Sequence, residues 1–304
     1  MSNAYCFFHS VDWDGHASAA VVKKFIPEAI MVPFNYTDPF PFDDICPEDI
    51  LMFVDVVIQP FSKMKELYDR LSPGNLIVID HHKSFIESDV GVFLKEKKVL
   101  FDTSTVYAGC FPDNGAKYAA CELAWIFMTN KNEIPKVIRL LGQYDAWRNT
   151  LGKMLKSDIS WEHVLAFQFG MRLHTLDYNK ILDFLKYGED SVVYRDTIKD
   201  GFLILKYQDN QNEISMEHAF EAKILGYSCI CSNTHMRNSN VFKSKWDTSK
   251  YDLMVAFSMN ADRKWSYSFY TDKEGVDASK VAQIFGGGGH VGAAGCVSSQ
   301  LIFD

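Results

Sequence analysis

The sequence predicts an α/β protein with an N-terminal, doubly wound and mainly parallel sheet, a helical connector and a smaller C-terminal α/β domain. Strand-like and helix-like segments alternate at the start of the 304-residue chain, helical patterns dominate from residue 115 to about 218, and strand-like patterns return from about residue 223. We therefore assign residues 1–207 to a first domain that includes the helical region, 208–222 to a linker, and 223–304 to a second domain.

The first domain begins with a succession of short apolar strands and helices. Its predicted strands are Tyr5–Phe8, Ile30–Phe34, Ile50–Ile58 and Leu76–Ile79, and its first helices are Gly15–Phe25 and Ser62–Leu71, the latter with Ser62 as its N-cap. Leu76–Ile79 contains only Leu, Ile and Val, which is typical of a parallel strand buried on both faces. Ligands of such sheets bind beyond the carboxyl ends of the strands.

The later elements follow from the same patterns. Predicted helices are Lys117–Met128, Pro135–Tyr144, Trp161–Phe169, Ile181–Lys186, Ser191–Tyr207 and Ala278–Phe285, and predicted strands are Ile224–Cys231, Leu253–Met259 and Trp265–Tyr270. The last of these helices leads directly into a run of four glycines.

Composition and charge exclude several classes of protein. The net charge of −8 argues against nonspecific binding of long duplex nucleic acid, which usually requires a basic surface. Apolar runs fall short of the roughly 20 residues of a membrane-spanning helix, and a strand-like segment begins at Tyr5, where a signal peptide would need its apolar core. We therefore predict a cytoplasmic protein, and the sequence leaves open whether it forms a homodimer.

Acidic and imidazole side chains follow three of the predicted strands. The first strand leads into His9, Asp12 and Asp14, the third contains Asp55, and the fourth runs into Asp80-His81-His82. The carboxyl ends of parallel strands meet at one edge of a sheet, so these groups are expected to lie together. Carboxylates with a few imidazoles suit Mn²⁺ or a similar cation.

Two cations would explain this set of ligands. A pair of ions about 3.5–4 Å apart can activate water and neutralise charge during hydrolysis of a phosphate ester. Asp55, on a central strand, is our candidate for a carboxylate that bridges both ions. Adjacent side chains at a strand end diverge, so we assign His81 to a metal ion and His82 to the substrate phosphate, with Asp80 orienting its neighbours.

A glycine-rich segment near the C-terminus is a second candidate site. Gly286–Gly289 precede His290, and the N–H groups of successive glycines can form an anion-binding nest. The run lies between a predicted helix and an apolar strand, so we predict that it contacts substrate.

The ordered motifs resemble those of the DHH phosphoesterase superfamily with its DHH-associated C-terminal domain, and most closely those of the nano-RNase B type of oligoribonuclease. The matching residues are His9-x-x-Asp12-x-Asp14-Gly15, Asp55, Asp80-His81-His82-Lys83, Gln143-Tyr144-Asp145-x-Trp147 and Gly286–His290. The resemblance spans nearly the whole chain.

The resemblance implies a role for each matched residue. One Mn²⁺ ion would be held by His9, Asp12 and Asp55, and the other by Asp14, Asp55, His81 and Asp145. His82 would contact the scissile phosphate. Arg237, Asn240, Gly287, Gly288, Gly289 and His290 would bind substrate in a cleft between the domains.

The predicted function is hydrolysis of short single-stranded oligonucleotides to nucleoside monophosphates by a metal-dependent exonuclease. The alternative is a phosphatase for a small phosphorylated nucleotide such as 3′-phosphoadenosine 5′-phosphate, or an exopolyphosphatase-like enzyme. The chain lacks the Arg-Lys-Lys run of the superfamily's pyrophosphatases. A nucleotide-binding regulator without activity is disfavoured because every expected ligand position is filled.

Overall fold

The computed structural model describes residues 2–102, 104, 118–131, 133–148, 159–189, 191–235 and 238–304. The chain divides into two compact units, Met1–Ile204 and Leu205–Asp304, and each is described by itself.

A parallel sheet organises the first unit. Its strands are β1 (Ala4–His9), β2 (Ile30–Phe34), β3 (Ile50–Val54), β4 (Leu76–Ile79) and β5 (Leu100–Phe101). They lie in the order β2-β1-β3-β4-β5, and every pairing is parallel. From β1 the chain continues to β2 at one edge of the sheet, and from β3 it continues to β4 and β5 at the other edge. The boundary between β1 and β3 is therefore the topological switch point, where ligands of doubly wound sheets bind. The predicted α/β fold class is confirmed.

Helices cover both faces of this sheet. The helices that begin in this unit are α1 (Trp13–Phe25), α2 (Ser62–Arg70), α3 (Lys83–Ile86), α4 (Asp89–Glu96), α5 (Ala120–Thr129), α6 (Lys136–Asp145), α7 (Trp161–Met171), α8 (Tyr178–Tyr187) and α9 (Val192–Glu217). The last of them continues past Ile204 into the second unit. The helix predicted over 191–207 is thus longer than expected and continues into the segment assigned to a linker; the domain limits drawn from the sequence stay a prediction.

Alternating side chains of each strand form two separate cores. Cys6 and Phe8 belong to the core on the side of α1 and α5, whereas Phe7 points to the opposite side. There Phe7 stacks on Phe53 of β3, with ring centroids 4.9 Å apart. A strand buried on both faces is held rigidly, so the residues that follow its end are well positioned for ligand binding.

Two predictions for the first unit are corrected, and three short elements were missed. The third strand ends at Val54 rather than Ile58, because Asp55 adopts a left-handed backbone with φ of 62°. Ser62 is the first residue of α2 and not its cap; the N-cap is Phe61, whose side chain cannot accept a hydrogen bond. The short elements α3, α4 and β5 were not predicted, since two to eight residues give little periodicity.

The second unit contains a six-stranded mixed sheet. Its strands are β6 (Phe220–Ile224), β7 (Tyr227–Asn233), β8 (Leu253–Met259), β9 (Trp265–Tyr270), β10 (Gly288–His290) and β11 (Ala293–Ser298), and its helix is α10 (Ala278–Ile284). The order is β10-β11-β9-β8-β7-β6, and only the β7–β8 pairing is parallel. The strand predicted over 224–231 begins too early: Leu225 and Gly226, both with positive φ, form the turn of a hairpin, and β7 starts at Tyr227.

Within the described parts of the chain, no helix combines the length and the apolar character that crossing a membrane requires.

Candidate metal centre

The turn from β1 into α1 brings three predicted ligands to the carboxyl edge of the sheet. His9 is the last residue of β1, and Asp12 is the N-cap of α1. One oxygen of Asp12 accepts a hydrogen bond from the N–H of Gly15 at 3.0 Å, and the other lies 2.9 Å from Nδ1 of His9. Asp12 therefore caps the helix with one oxygen and presents the other to the site.

Gly15 of this turn permits a close approach between α1 and β1. A Cβ atom at this position would lie 2.0 Å from the carbonyl oxygen of His9. A glycine is therefore required here by packing, and it fixes the distance between the helix that carries Asp14 and the strand that carries His9.

Asp55 lies between the two halves of the site. It directly follows β3, which pairs with β1 on one side and β4 on the other, and its side chain is buried. Oδ2 of Asp55 lies 3.7 Å from Nδ1 of His9, and Oδ1 lies 3.4 Å from Nε2 of His81. The two oxygens of one carboxylate thus face different groups of candidate ligands.

The residues after β4 are oriented by a buried carboxylate. Oδ1 of Asp80 accepts hydrogen bonds from the backbone N–H groups of His81 and His82, at 2.7 and 2.9 Å, and lies 2.7 Å from Nδ1 of His82. Because an ionised carboxylate only accepts, Nδ1 of His82 carries the proton. The His81 side chain is 15% exposed and that of His82 is 38% exposed, and their ring centroids lie 4.6 Å apart. The assignment of His81 to a metal ion and His82 to the substrate stays a prediction.

Asp14 and Asp145 complete the set. Asp14 is buried, and its oxygens accept the N–H groups of Ala120 and Cys121 at the start of α5, each at 3.0 Å. Asp145 is the last residue of α6. Nε2 of His81 lies 3.6 Å from Oδ2 of Asp14 and 3.3 Å from Oδ2 of Asp145.

These side chains form three groups whose ligand atoms lie within 4.8 Å of one another and could hold metal ions: His9, Asp12 and Asp55; Asp14, His81 and Asp145; and Asp55, His81 and His82. Acidic and imidazole side chains thus gather where a metal ion could bind, and the number of ions stays a prediction. The assignment of each residue to a particular ion stays a prediction.

Unsatisfied buried atoms support a cation at this place. Among the described residues, Nδ1 of His9 and Oδ1 of Asp55 are buried and have no hydrogen-bond partner of acceptable geometry. Nδ1 of His9 is nevertheless only 2.9 Å from a carboxylate oxygen. Nitrogen and oxygen atoms that lie this close without a well-aligned hydrogen bond are arranged like the ligands of one cation. The side chains of the site therefore fit a metal ion.

The charges of the metal-free site are poorly balanced. Burial, followed by the charge of Asp55, raises the pKa of Asp14 to about 7, and burial and the charge of Asp14 raise the pKa of Asp145 to about 7. Burial alone would lower the pKa of His81, but Asp55, Asp14 and Asp145 raise it to about 10. Near neutral pH, Asp14 and Asp145 are thus partly protonated in the metal-free site.

Solved structures of known proteins share this architecture. A pGpG-specific phosphodiesterase from Vibrio cholerae aligns over 98% of this chain and 93% of its own, with 10% identity and a TM-score of 0.52. An exopolyphosphatase-related protein from Bacteroides fragilis aligns over 97% and 86%, with 14% identity and a TM-score of 0.51. The chain therefore shares its fold with these two proteins. An uncharacterised protein from Helicobacter pylori aligns over 100% and 95%, with 14% identity and a TM-score of 0.42. No protein-family model and no curated protein matches the sequence.

The predicted substrate-binding residues belong to the second unit. Asn240 is half-buried in a short 3₁₀ helix, Ser239–Phe242, and its N–H donates to the side chain of Asn238 at 3.1 Å. Arg237 lies outside the described residues, as does the side chain of His290. Their substrate-binding roles stay predictions.

The glycine run does not form the complete nest that the sequence suggested. The N–H groups of Gly286 and Gly287 donate to the carbonyl groups of Gln283 and Ala282 at the end of α10, so they are not available to an anion. The next residues form β10, in which Gly289 lets the backbone approach β11: a Cβ atom there would lie 2.5 Å from Cα of Ala294. Gly288 has open space on the corresponding side and stays a substrate-binding candidate.

Tyr36 is a site residue that the sequence analysis missed. It follows β2, its hydroxyl lies 3.4 Å from Nδ1 of His82, and its ring centroid is 5.2 Å from that of His9. Together with Asp80, His82 and Phe85 it lines a cavity of about 190 Å³ beside the candidate ligands. Its position after a parallel strand was the signal that could have revealed it.

Proposed function

We propose that the protein is a two-metal phosphodiesterase that hydrolyses short oligonucleotides to nucleoside monophosphates. The observation that carries the proposal is the position of Asp55, whose two oxygens face the two groups of ligands on either side of the switch point. The fold shared with a phosphodiesterase and an exopolyphosphatase-related protein supports chemistry on phosphorus–oxygen bonds.

Mn²⁺ is the cation that we propose for both positions. The first ion would be held by His9, Asp12 and Asp55, and the second by Asp14, Asp55, His81 and Asp145. When bound, such a pair supplies activation of a water molecule at neutral pH and neutralisation of charge on the phosphoryl oxygens. The mixture of carboxylate and imidazole ligands suits a cation of intermediate hardness.

We assign His82 to the substrate phosphate. Asp80 fixes its Nδ1 as a donor, so the outward nitrogen, Nε2, is left for substrate. Burial lowers the pKa of His82, but Asp80 and Asp55 raise it above the ordinary value for histidine, and the protonated ring can donate from Nε2 to a phosphoryl oxygen. His82 would then stabilise charge as the phosphorus–oxygen bond breaks.

The substrate is proposed to be short because the chain is acidic. A net charge of −8 gives no general attraction for a long polyanion, so binding would rest on a few phosphates close to the cations. The Vibrio cholerae protein is named for the dinucleotide pGpG, which supports a substrate of this size.

A substrate panel with Mn²⁺ tests the proposal. It should include RNA and DNA of two to five nucleotides, a 24-nucleotide RNA, 3′-phosphoadenosine 5′-phosphate, pyrophosphate and polyphosphate. We expect nucleoside monophosphates from the short oligonucleotides and slow or no attack on the 24-nucleotide RNA. Rapid turnover of polyphosphate, without turnover of dinucleotides, would replace the proposed substrate by a polyphosphate.

A further inference from the structure

A buried junction at the start of α5 connects the two helices that carry Asp14 and Asp145. The first N–H groups of a helix have no partner within it, and those of α5 are taken up by carboxylates. Asp14 accepts the N–H groups of Ala120 and Cys121. The preceding N–H, that of Ala119, donates to Oε2 of Glu122 at 3.0 Å.

Glu122 pairs with a cation that is equally buried. Its Oε1 accepts from the guanidinium of Arg148 at 2.7 Å, and the two residues are 0% and 2% exposed. Burial lowers the pKa of Arg148, but the adjacent Glu122 raises it above its ordinary value, so the guanidinium stays charged. A buried ion pair is often no more stabilising than apolar residues of similar volume, and an effect on geometry is the better account of its presence.

Arg148 controls the end of α6 because the intervening turn is tight. Arg148 is three residues beyond Asp145, and its N–H donates to the carbonyl oxygen of Gln143 at 3.0 Å. Trp147, between them, has a left-handed φ of 49° and donates its N–H to Tyr144 at 3.0 Å. A displacement of the guanidinium would therefore displace the turn that begins at Asp145.

Gly142 shows how closely α6 is packed against this pair. A Cβ atom at this position would lie 2.6 Å from Cδ of Glu122 and 2.7 Å from its Oε2. The carboxylate of Glu122 thus lies directly against the backbone of α6, one turn before Asp145. Glu122 contacts the helix that carries Asp145 and also binds the helix start that Asp14 caps.

We propose that Glu122 and Arg148 are a positioning pair that sets the spacing between Asp14 and Asp145. Neither residue belongs to the groups that could hold a cation. Metal–ligand distances are fixed within about 0.2 Å, and loss of residues that orient ligands typically lowers metal affinity 10–100-fold. This inference rests on the proposed two-metal function, and it predicts an effect on one ion only.

Calorimetric titration with Mn²⁺ tests the inference on the full chain. Arg148→Met and Glu122→Gln should each lower the affinity for the ion assigned to Asp14, His81 and Asp145 by about 10–100-fold. The step assigned to His9, Asp12 and Asp55 should be unchanged; Asp145→Asn and Asp12→Asn identify the two steps. Lys136→Met is the matched control, because it removes an ion pair with Glu189 at the other end of α6.

The double variant Glu122→Gln/Arg148→Met separates positioning from folding. Each single change removes one charge of the buried pair and leaves the other, whereas the double change removes both charges and should recover much of the lost melting temperature. We expect its affinity for the second ion to stay low. Electron paramagnetic resonance, which distinguishes a coupled Mn²⁺ pair from single ions, should show single ions at a concentration that gives pairs in the wild type.

The two proposals fail in different experiments. Wild-type affinity for both ions in the folded double variant would overturn the positioning role and leave the phosphodiesterase proposal intact. A wild type that binds two ions but hydrolyses no member of the substrate panel would overturn the phosphodiesterase proposal, and the comparison of metal affinities would still test the pair.

Discussion

Replacement of Asp55 by Asn tests the metal centre most directly. Both carboxylate oxygens face candidate ligands, so the change weakens both proposed ion positions at once. Asn has almost the same shape, and it is one of the few residues that tolerate the left-handed φ of 62° found here. Ala would add backbone strain to the loss of ligands and would blur the result.

The expected effect on stability can be worked out. A ligand that binds only the folded protein stabilises it by about 2.7 kcal/mol at a concentration of 100 Kd. For a unit of roughly 200 residues, each kcal/mol corresponds to about 2–4 °C in melting temperature. Mn²⁺ should therefore raise the melting temperature of the wild type by roughly 5–11 °C per bound ion, and most of this increase should be lost in Asp55→Asn.

The stability of Asp55→Asn without metal is a separate expectation. Burial and the charge of Asp55 together raise the pKa of Asp14, so removal of that charge relieves repulsion in the metal-free site. The attraction of Asp55 to the rings of His9 and His81 is lost as well, so we expect the metal-free melting temperature to change much less than the Mn²⁺-dependent increase. This separates loss of metal binding from loss of folding.

Scanning calorimetry of chelator-treated protein, with and without Mn²⁺, makes the measurement, and hydrolysis of dinucleotides is followed on the same samples. Asp69→Asn is the control, since Asp69 is an exposed carboxylate on α2 of the same unit. If Asp55→Asn showed the full Mn²⁺-dependent increase, the bridging position of Asp55 would be refuted. Absence of any increase in the wild type would refute the metal centre itself.

Three further predictions follow from the site. Mn²⁺ affinity should rise from pH 6 to pH 8, about tenfold per pH unit for each proton that binding releases. The reason is that the pKa values of His81 (about 10) and of Asp14 and Asp145 (about 7) are raised, so the cation must displace protons. Calorimetric titrations that give the same affinity at every pH would contradict this. His82→Asn should lower kcat by about 10²–10³-fold and keep the Mn²⁺-dependent increase in melting temperature, whereas loss of that increase would make His82 a metal ligand. Gly15→Ala should destabilise the fold by about 1–3 kcal/mol or more in urea unfolding, since its Cβ would lie 2.0 Å from a β1 carbonyl oxygen, and an unchanged midpoint would contradict this packing constraint.

The part of the site that follows adjacent parallel strands could be predicted from the sequence. His9, Asp55 and His81 directly follow β1, β3 and β4, or lie within two residues of their ends, and these three strands are neighbours in the sheet. Short apolar segments with polar residues at their ends are visible without any structure. The parallel topology then places those residues at one edge.

Site residues whose positions depend on how helices pack could not be predicted from the sequence pattern. Asp145 ends α6, and its distance from His81 depends on how α5 and α6 pack, which local periodicity does not encode. It was identified only through the resemblance to a known family. Glu122 and Arg148 carry charges that a sequence pattern assigns to the surface, although both are buried.

The strand predicted over 50–58 ends four residues early, at Val54, directly before the central site residue Asp55. Phe53 points into the core shared with Phe7, and Val54 into the core on the side of α1. If the strand continued, its alternation would direct Asp55 into the Phe53 side, where an unpaired carboxylate is costly. The left-handed backbone at Asp55 instead interrupts the alternation, at little cost for an Asp residue. The carboxylate then lies near His9 and His81, where a cation would compensate its charge. The interruption of the strand is therefore part of the site, and a sequence that favoured continued β structure here would lose the proposed bridging ligand.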